Sequence, residues 1–189
     1  MDELEAIKKE ILIANLPLSE NNLVFGKGNP KAKILFIGEA PGAKEDELGV
    51  PFVGQAGKEL DKLLNGIGLG IEDVYIANIL KYRPPNNRNP TMEEIKSHTP
   101  FLIKQIEVIN PKIISTLGNY ATKFVLAGFN TKEMNKIEGI GKIHGKPKNI
   151  FLDGTQRIVI PLYHPASMLY NPNLRQVLQQ DFSIISSFL

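Results

Sequence analysis

The chain predicts an α/β fold, a three-layer αβα sandwich around a small, mostly parallel four-stranded sheet. Three observations carry that reading. Four short apolar runs rich in branched residues (KAKILFI, VYIANIL, KIISTLG and RIVIPLY) have the length and composition of strands buried on both faces. Segments of helical spacing lie between them, so successive strands run parallel through right-handed crossovers. The first, second and fourth runs open into loops of glycine, proline and asparagine, where open α/β sheets hold their ligands.

In order, Asp2 to about Leu12 has a helical pattern with Leu4, Ile7, Ile11 and Leu12 on one face. Pro17, Ser19 and Asn21-Asn22 break it, and VFGKGNPKA is a turn-rich approach to the first strand. The stretch Gly38 to Phe52, GEAPGAKEDELGVPF, is expected as an irregular loop in which Gly42 and Gly49 let the backbone approach a ligand. Gln55 to Leu64 reads as an amphipathic helix with Ala56, Leu60, Leu63 and Leu64 inward, and NGIGLG suits a left-handed C-cap. The second strand starts at Val74 and runs into KYRPPNNRNP, which its prolines bar from helix or central strand. Thr91 is the expected N-cap of a helix reaching about Ile109, with Glu93 and Glu94 in its first turn. Pro111 stops that helix, the third strand closes at Gly118, and Asn119 to Leu126 is a short helix. Residues 128–156 are rich in glycine and lysine and are expected as a surface excursion or small hairpins with little core material. The fourth strand, the loop HPASMLYNPN and a helix from Leu174 to Phe188 complete the chain.

With 189 residues, one domain spanning 1–189 is expected. The net charge of +2 implies no polyanion partner by itself. No apolar run approaches a membrane span and MDELEAIKKE lacks a signal-peptide core, so a cytoplasmic location is expected. The absence of cysteine excludes disulfides, thiol catalysis and thiolate metal sites.

Chemistry-bearing residues gather at the strand ends. Glu39, Glu45, Asp46 and Phe52 lie in the loop after the first strand, Asn78 interrupts an apolar second strand, and His164 follows the fourth. Each has a plain alternative: solvated acids, a core phenylalanine, an asparagine making local backbone bonds, a structural histidine.

The motifs GEAPGAKED and PFVGQAG, then VYIANILKYRPPNNRNP, then YHPAS, in that order and spacing, resemble the family 4 uracil-DNA glycosylases of bacteria and archaea. The match runs in register from about Val24 to the C-terminus. The resemblance implies an enzyme that flips deoxyuridine out of DNA, at a cost of a few kcal/mol, and hydrolyses its N-glycosidic bond to leave an abasic site. It implies a uracil pocket built from Gly38, Glu39, Ala40, Phe52, Asn78 and His164. Phe52 would stack on the base, worth about 1–3 kcal/mol. Asn78 would read uracil's N3–H and O4, a pattern that cytosine reverses. His164, in HPA where the family has an HPS-type motif, would donate to uracil O2, a kind of contact worth about 10²–10³ in rate.

Glu39 is placed beside the base, where it would also exclude thymine's methyl group. Glu45 and Asp46 match an acidic pair that would position or activate water. Which acid handles the water stays open, because Ala40 stands where family 1 enzymes carry an aspartate for it. Met168, Leu169 and Tyr170 resemble a wedge that fills the hole left by a flipped base, with packing on the final helix as the equal alternative. Arg83, Arg88 and Arg175, with Lys142, Lys146 and Lys148, are candidates for phosphate contact. The expected partner is uracil-containing DNA, single- or double-stranded, bound by a monomer that touches no membrane. A non-catalytic reader of such DNA, or a glycosylase of broader deaminated-base specificity, is the alternative.

The chain departs from the resemblance at one place. Family 4 enzymes hold a 4Fe–4S cluster on four cysteines, and the corresponding positions here are Ile13, Leu16, Tyr82 and His98. Neither metal nor cofactor is therefore expected, and hydrophobic packing should replace the cluster.

Overall fold

The computed structural model describes residues 2–189. In chain order the elements are α1 (Glu3–Ile13), β1 (Lys27–Gly28), β2 (Ile34–Gly38), α2 (Ala43–Leu48), α3 (Gln55–Gly66), β3 (Val74–Asn78), α4 (Met92–Ile109), β4 (Ile113–Leu117), α5 (Asn119–Leu126), α6 (Ile140–Ile143), β5 (Lys148–Leu152), β6 (Thr155–Leu162), α7 (Ser167–Tyr170) and α8 (Leu174–Ser186). One sheet takes the order β1-β3-β2-β4-β6-β5. Its inner strands β3, β2, β4 and β6 are parallel, and these are the four apolar runs.

The sheet has six strands rather than four, because short antiparallel strands close both edges. β1 is two residues from the turn-rich VFGKGNPKA and pairs with β3. β5 forms a hairpin with β6 inside the lysine-rich excursion. Neither carries the apolar run of a central strand, since an edge strand needs one partner only. The excursion also supplies more core than expected: Phe129, Met134 and Ile143 are buried.

Alternation along each strand splits the core into two layers. On one face Leu35, Ile37, Ala77 and Ile114 pack against Leu4, Ile7 and Ile11 of α1, Leu102 and Ile106 of α4, and Phe124 of α5. On the other, Ile34, Phe36, Ile76 and Ile160 meet Leu60, Leu63 and Leu64 of α3 and Leu178, Phe182 and Ile185 of α8. Each of these leucines contributes about 2 kcal/mol of transfer free energy.

Thr91 caps α4 as expected. Its hydroxyl accepts from the Glu94 N–H at 3.2 Å, and the Glu94 carboxylate accepts from the Thr91 N–H at 2.9 Å. The loop after β2 is not wholly irregular, because it contains α2, which ends at left-handed Gly49. Among the described residues no helix is long and apolar enough to cross a membrane.

Candidate active site

β2 and β3 run side by side, with Gly38 opposite Asn78. The chains stay together past the strand ends: the Ile79 N–H donates to the Gly38 carbonyl at 2.9 Å and the Leu80 N–H to that of Glu39 at 3.1 Å. A cleft of about 560 Å³ opens at this edge, lined by Glu39, Glu45, Phe52, Asn78, His164 and Tyr170 among others. Gly38 is required to be small. A Cβ there would lie 2.3 Å from Asn78 Oδ1 and 2.8 Å from the Phe52 ring, so any side chain would collide with both.

Asn78 is 1% exposed, yet its Oδ1 is buried without a hydrogen-bond partner among the described residues. Such an atom loses about 1–3 kcal/mol of solvation unless a ligand donates to it. Phe52 sits at φ 53°, a left-handed backbone that a bulky side chain adopts at a cost of about 1–2 kcal/mol. Lys27 Nζ holds its carbonyl at 3.0 Å, and Gly57 at the start of α3 approaches so closely that a Cβ there would lie 2.0 Å from that oxygen. The strained turn presents the Phe52 ring to His164, with ring centroids 5.7 Å apart and planes inclined by 27°.

His164 follows β6. Its Nδ1 accepts from the Ala166 N–H at 3.1 Å, which leaves the ring proton on Nε2 as a donor. Burial pushes its pKa down to about 4, so the imidazole is neutral near pH 7. Gly118 permits its approach, since a Cβ there would lie 3.2 Å from the histidine Cβ.

The three acids separate. Glu39 lines the cleft without a protein hydrogen bond to its carboxylate among the described residues, and burial raises its pKa. Glu45 also lines the cleft, but its carboxylate accepts the N–H groups of Val53 (3.0 Å), Gly54 (2.9 Å) and Gly42 (3.2 Å), so it is committed to shaping the loop. Asp46 faces away and accepts from the Asn22 N–H at 3.0 Å. Neighbours on a helix do not share a face, so α2 can turn only one of the pair inward. Asp46 is corrected to a residue outside the cleft.

The DNA-facing expectations divide in the same way. Met168 is 2% exposed and packs into the core beneath α7, so it is corrected to a core residue. Leu169 and Tyr170 stand out, Tyr170 being 87% exposed at the cleft mouth. Arg88 is tied to Glu94 by two bonds of 2.9 and 2.6 Å, and Arg175 to Glu59 at 2.8 Å. Both terminal nitrogens of Arg88 are engaged, whereas among the described residues Arg175 engages only Nη1, its charge offset by Glu59. Arg83 is half-buried, and among the described residues only its Nε is engaged, by Asn87 at 2.8 Å.

Sequence reasoning did not single out Asn87 and Asn89, which line the cleft from the RPPNNR loop. The signal was the Asn86-Asn87 pair, both at positive φ (53° and 54°), a conformation asparagine tolerates between flanking prolines.

The residues that the family resemblance sets against the four cluster cysteines do not fit an iron-sulfur cluster. Tyr82 is buried edge-on to His98, with centroids 5.9 Å apart. His98 Nδ1 accepts from the Lys81 N–H at 2.9 Å and its Nε2 lies 3.0 Å from the Pro17 carbonyl, so neither nitrogen is available to a metal. Leu16 packs partly buried on the core. The expected apolar replacement is incomplete, because Ile13 at the end of α1 is 84% exposed.

The sequence profile of the Uracil DNA glycosylase superfamily matches residues 25–183. The chain is 47% identical to a type-4 uracil-DNA glycosylase of Saccharolobus solfataricus, over all of this chain and 88% of that protein. It is 44% identical to one of Archaeoglobus fulgidus, covering 98% and 92% of the two chains. It is 42% identical to one of Thermotoga maritima, covering 96% and 90%. With its strand-end cleft intact and such relatives aligned along its length, this chain belongs to the uracil-DNA glycosylase superfamily.

Proposed function

We propose that this protein hydrolyses the N-glycosidic bond of deoxyuridine in DNA, releasing uracil and leaving an abasic site. The observation that carries the reading is the buried, unpartnered Asn78 Oδ1 in a cleft walled by Phe52 and His164. The flipped base stacks on Phe52 and its N3–H donates to Asn78 Oδ1. Cytosine has no hydrogen on N3, so it would leave that oxygen buried and unpaired, a penalty of about 1–3 kcal/mol.

As the C1′–N1 bond breaks, its electron pair passes to the uracil, and charge gathers on O2. The His164 Nε2–H donates to that oxygen. A neutral donor already in place stabilises the leaving anion without first releasing a proton to solvent. Water adds to the cationic C1′, and its proton leaves to the Glu39 carboxylate, the acid free in the cleft. Leu169 and Tyr170 fill the gap in the stack. No step passes through a metal or cluster, in keeping with the lack of cysteine and the engaged nitrogens of His98.

The test is alkali-labile cleavage of a labelled oligonucleotide bearing one uracil, single-stranded and opposite G or A. Wild type should break it at uracil. Asn78→Asp keeps an acceptor for N3–H but loses the amide donor to O4 and buries a charge against the base, so it should lower the rate about 100-fold with the fold unchanged. Binding without breaks would make the protein a non-catalytic reader, and an unaffected Asn78→Asp would mean the base is read elsewhere.

A further inference from the structure

Lys81 lies three residues beyond Asn78 and is wholly buried. Its ammonium donates to the Asn78 carbonyl at 2.8 Å and to Gln105 Oε1 at 2.5 Å. Gln105 in turn donates to the Phe25 carbonyl at 3.0 Å. The lysine's own N–H donates to His98 Nδ1 at 2.9 Å. His98 and Gln105 are two turns apart on one face of α4, so a single helix holds the lysine by its backbone and by its head group.

No carboxylate lies within ion-pair distance of Lys81 among the described residues. An ammonium buried without counter-charge is costly, and burial pushes its pKa down to about 7. A methionine would fill the same space without that penalty. Beyond its anchor on α4, what the lysine adds is a bond to the backbone of Asn78.

That bond acts where the site needs it. The peptide between Asn78 and Ile79 is held on both edges, its N–H by the Gly38 carbonyl and its C=O by Lys81. The Asn78 side chain makes no protein hydrogen bond among the described residues, so its direction is set by its backbone and by packing. We propose that Lys81 is a positioning residue for uracil recognition, clamping the Asn78 carbonyl so that the Asn78 amide is aimed at the base. The proposal rests on Asn78 as the base reader and adds the residue that orients it.

The test is a double-mutant cycle on single-turnover uracil release. Lys81→Met should lower the rate about 10-fold or more in wild type but less than about 2-fold in an Asn78→Ala background, because residues acting through one hydrogen-bond network do not add. Affinity for the same oligonucleotide should stay within about 2-fold, since no phosphate contact changes. Equal losses in both backgrounds, or no loss, overturn the proposal. If Lys81→Met fails to fold, Lys81→Met/Gln105→Leu, which replaces both buried partners by apolar groups, carries the same cycle. Failure of that pair to fold as well would assign the lysine to structure alone. Absence of uracil release by wild type would instead overturn the proposed function, so the two failures are distinguishable.

Discussion

Two polar clusters lie within a few residues of each other at this sheet edge, and they differ in one respect. Around His98 the polar groups are matched: both imidazole nitrogens, the Lys81 N–H and ammonium, and both ends of the Gln105 amide have protein partners. In the cleft they are not. Among the described residues Asn78 Oδ1 has no partner, the Glu39 carboxylate accepts no bond, and His164 engages only Nδ1, while Glu45 alone is fully matched. Folded proteins rarely leave buried polar groups unmatched, so the matched cluster builds structure and the unmatched one awaits a ligand. Apart from Lys81, whose ammonium reaches the Asn78 carbonyl, substitutions should therefore separate rate from stability according to the cluster they touch.

The largest effect is expected at His164. Removing a preorganised donor from a leaving anion lowers the rate by about 10²–10³. The one protein bond lost is from the Ala166 N–H, on a loop, so the melting temperature of His164→Ala should change little. Single-turnover cleavage beside a thermal melt checks both halves. A variant that unfolds early, or one that keeps wild-type rate, would break the contrast between the clusters.

His98 should behave in the opposite way. Burial pushes its pKa down to about 4, and its Nδ1 must be unprotonated to accept the Lys81 N–H. A histidine depressed in the folded state stabilises fully above its unfolded value of about 6.5. That contribution then fades as pH falls toward 4, because the unfolded chain takes up the proton first. His98→Leu should lose about 1–3 kcal/mol at pH 7 by stranding the Lys81 N–H and the Pro17 carbonyl, and should flatten stability across that acid window. Denaturant melts from pH 7 to 4 test it. A steeper acid dependence in the variant would contradict the assignment. Uracil release at pH 7 should fall far less than in His164→Ala.

The same contrast explains what was legible in the sequence. The inner strands and the cap at Thr91 follow from local pattern: apolar runs of strand length, and a threonine three residues before a glutamate. The edge strand β1 was hidden and β5 was anticipated only loosely as one of several small hairpins, since pairing on one side leaves little compositional mark. Within the site, Asn78 stood out in an apolar strand, Phe52 and His164 were legible mainly through the family resemblance, and all three line one cleft. Side-chain direction was not legible. Glu45 and Asp46 are adjacent letters with opposite fates, and Met168 differs from Tyr170 only in the side of a single helical turn it faces. Lys81 looked like any basic residue before a loop. Its burial depends on Gln105, far along the chain and beyond the reach of any local pattern.

The smallest effect expected is in the salt dependence of DNA binding, where the matched and unmatched logic extends to arginine. Arg175 is paired with Glu59, whose carboxylate already offsets its charge, so a phosphate there would release little counterion. Arg83 is half-buried, makes no ion pair among the described residues, and engages only Nε. Each phosphate contact adds about 0.9 to the slope of log affinity against log salt on duplex and about 0.7 on single strands. Arg83→Gln should therefore lower the slope by roughly that amount, and Arg175→Gln should leave it unchanged. Titrating both variants against one oligonucleotide at several salt concentrations measures the difference. A slope that falls with Arg175 and not with Arg83 would place the DNA path over α8 instead of the RPPNNR loop. It would also show that a matched charge on this surface can be recruited by ligand, which would limit the distinction between the clusters to the buried interior.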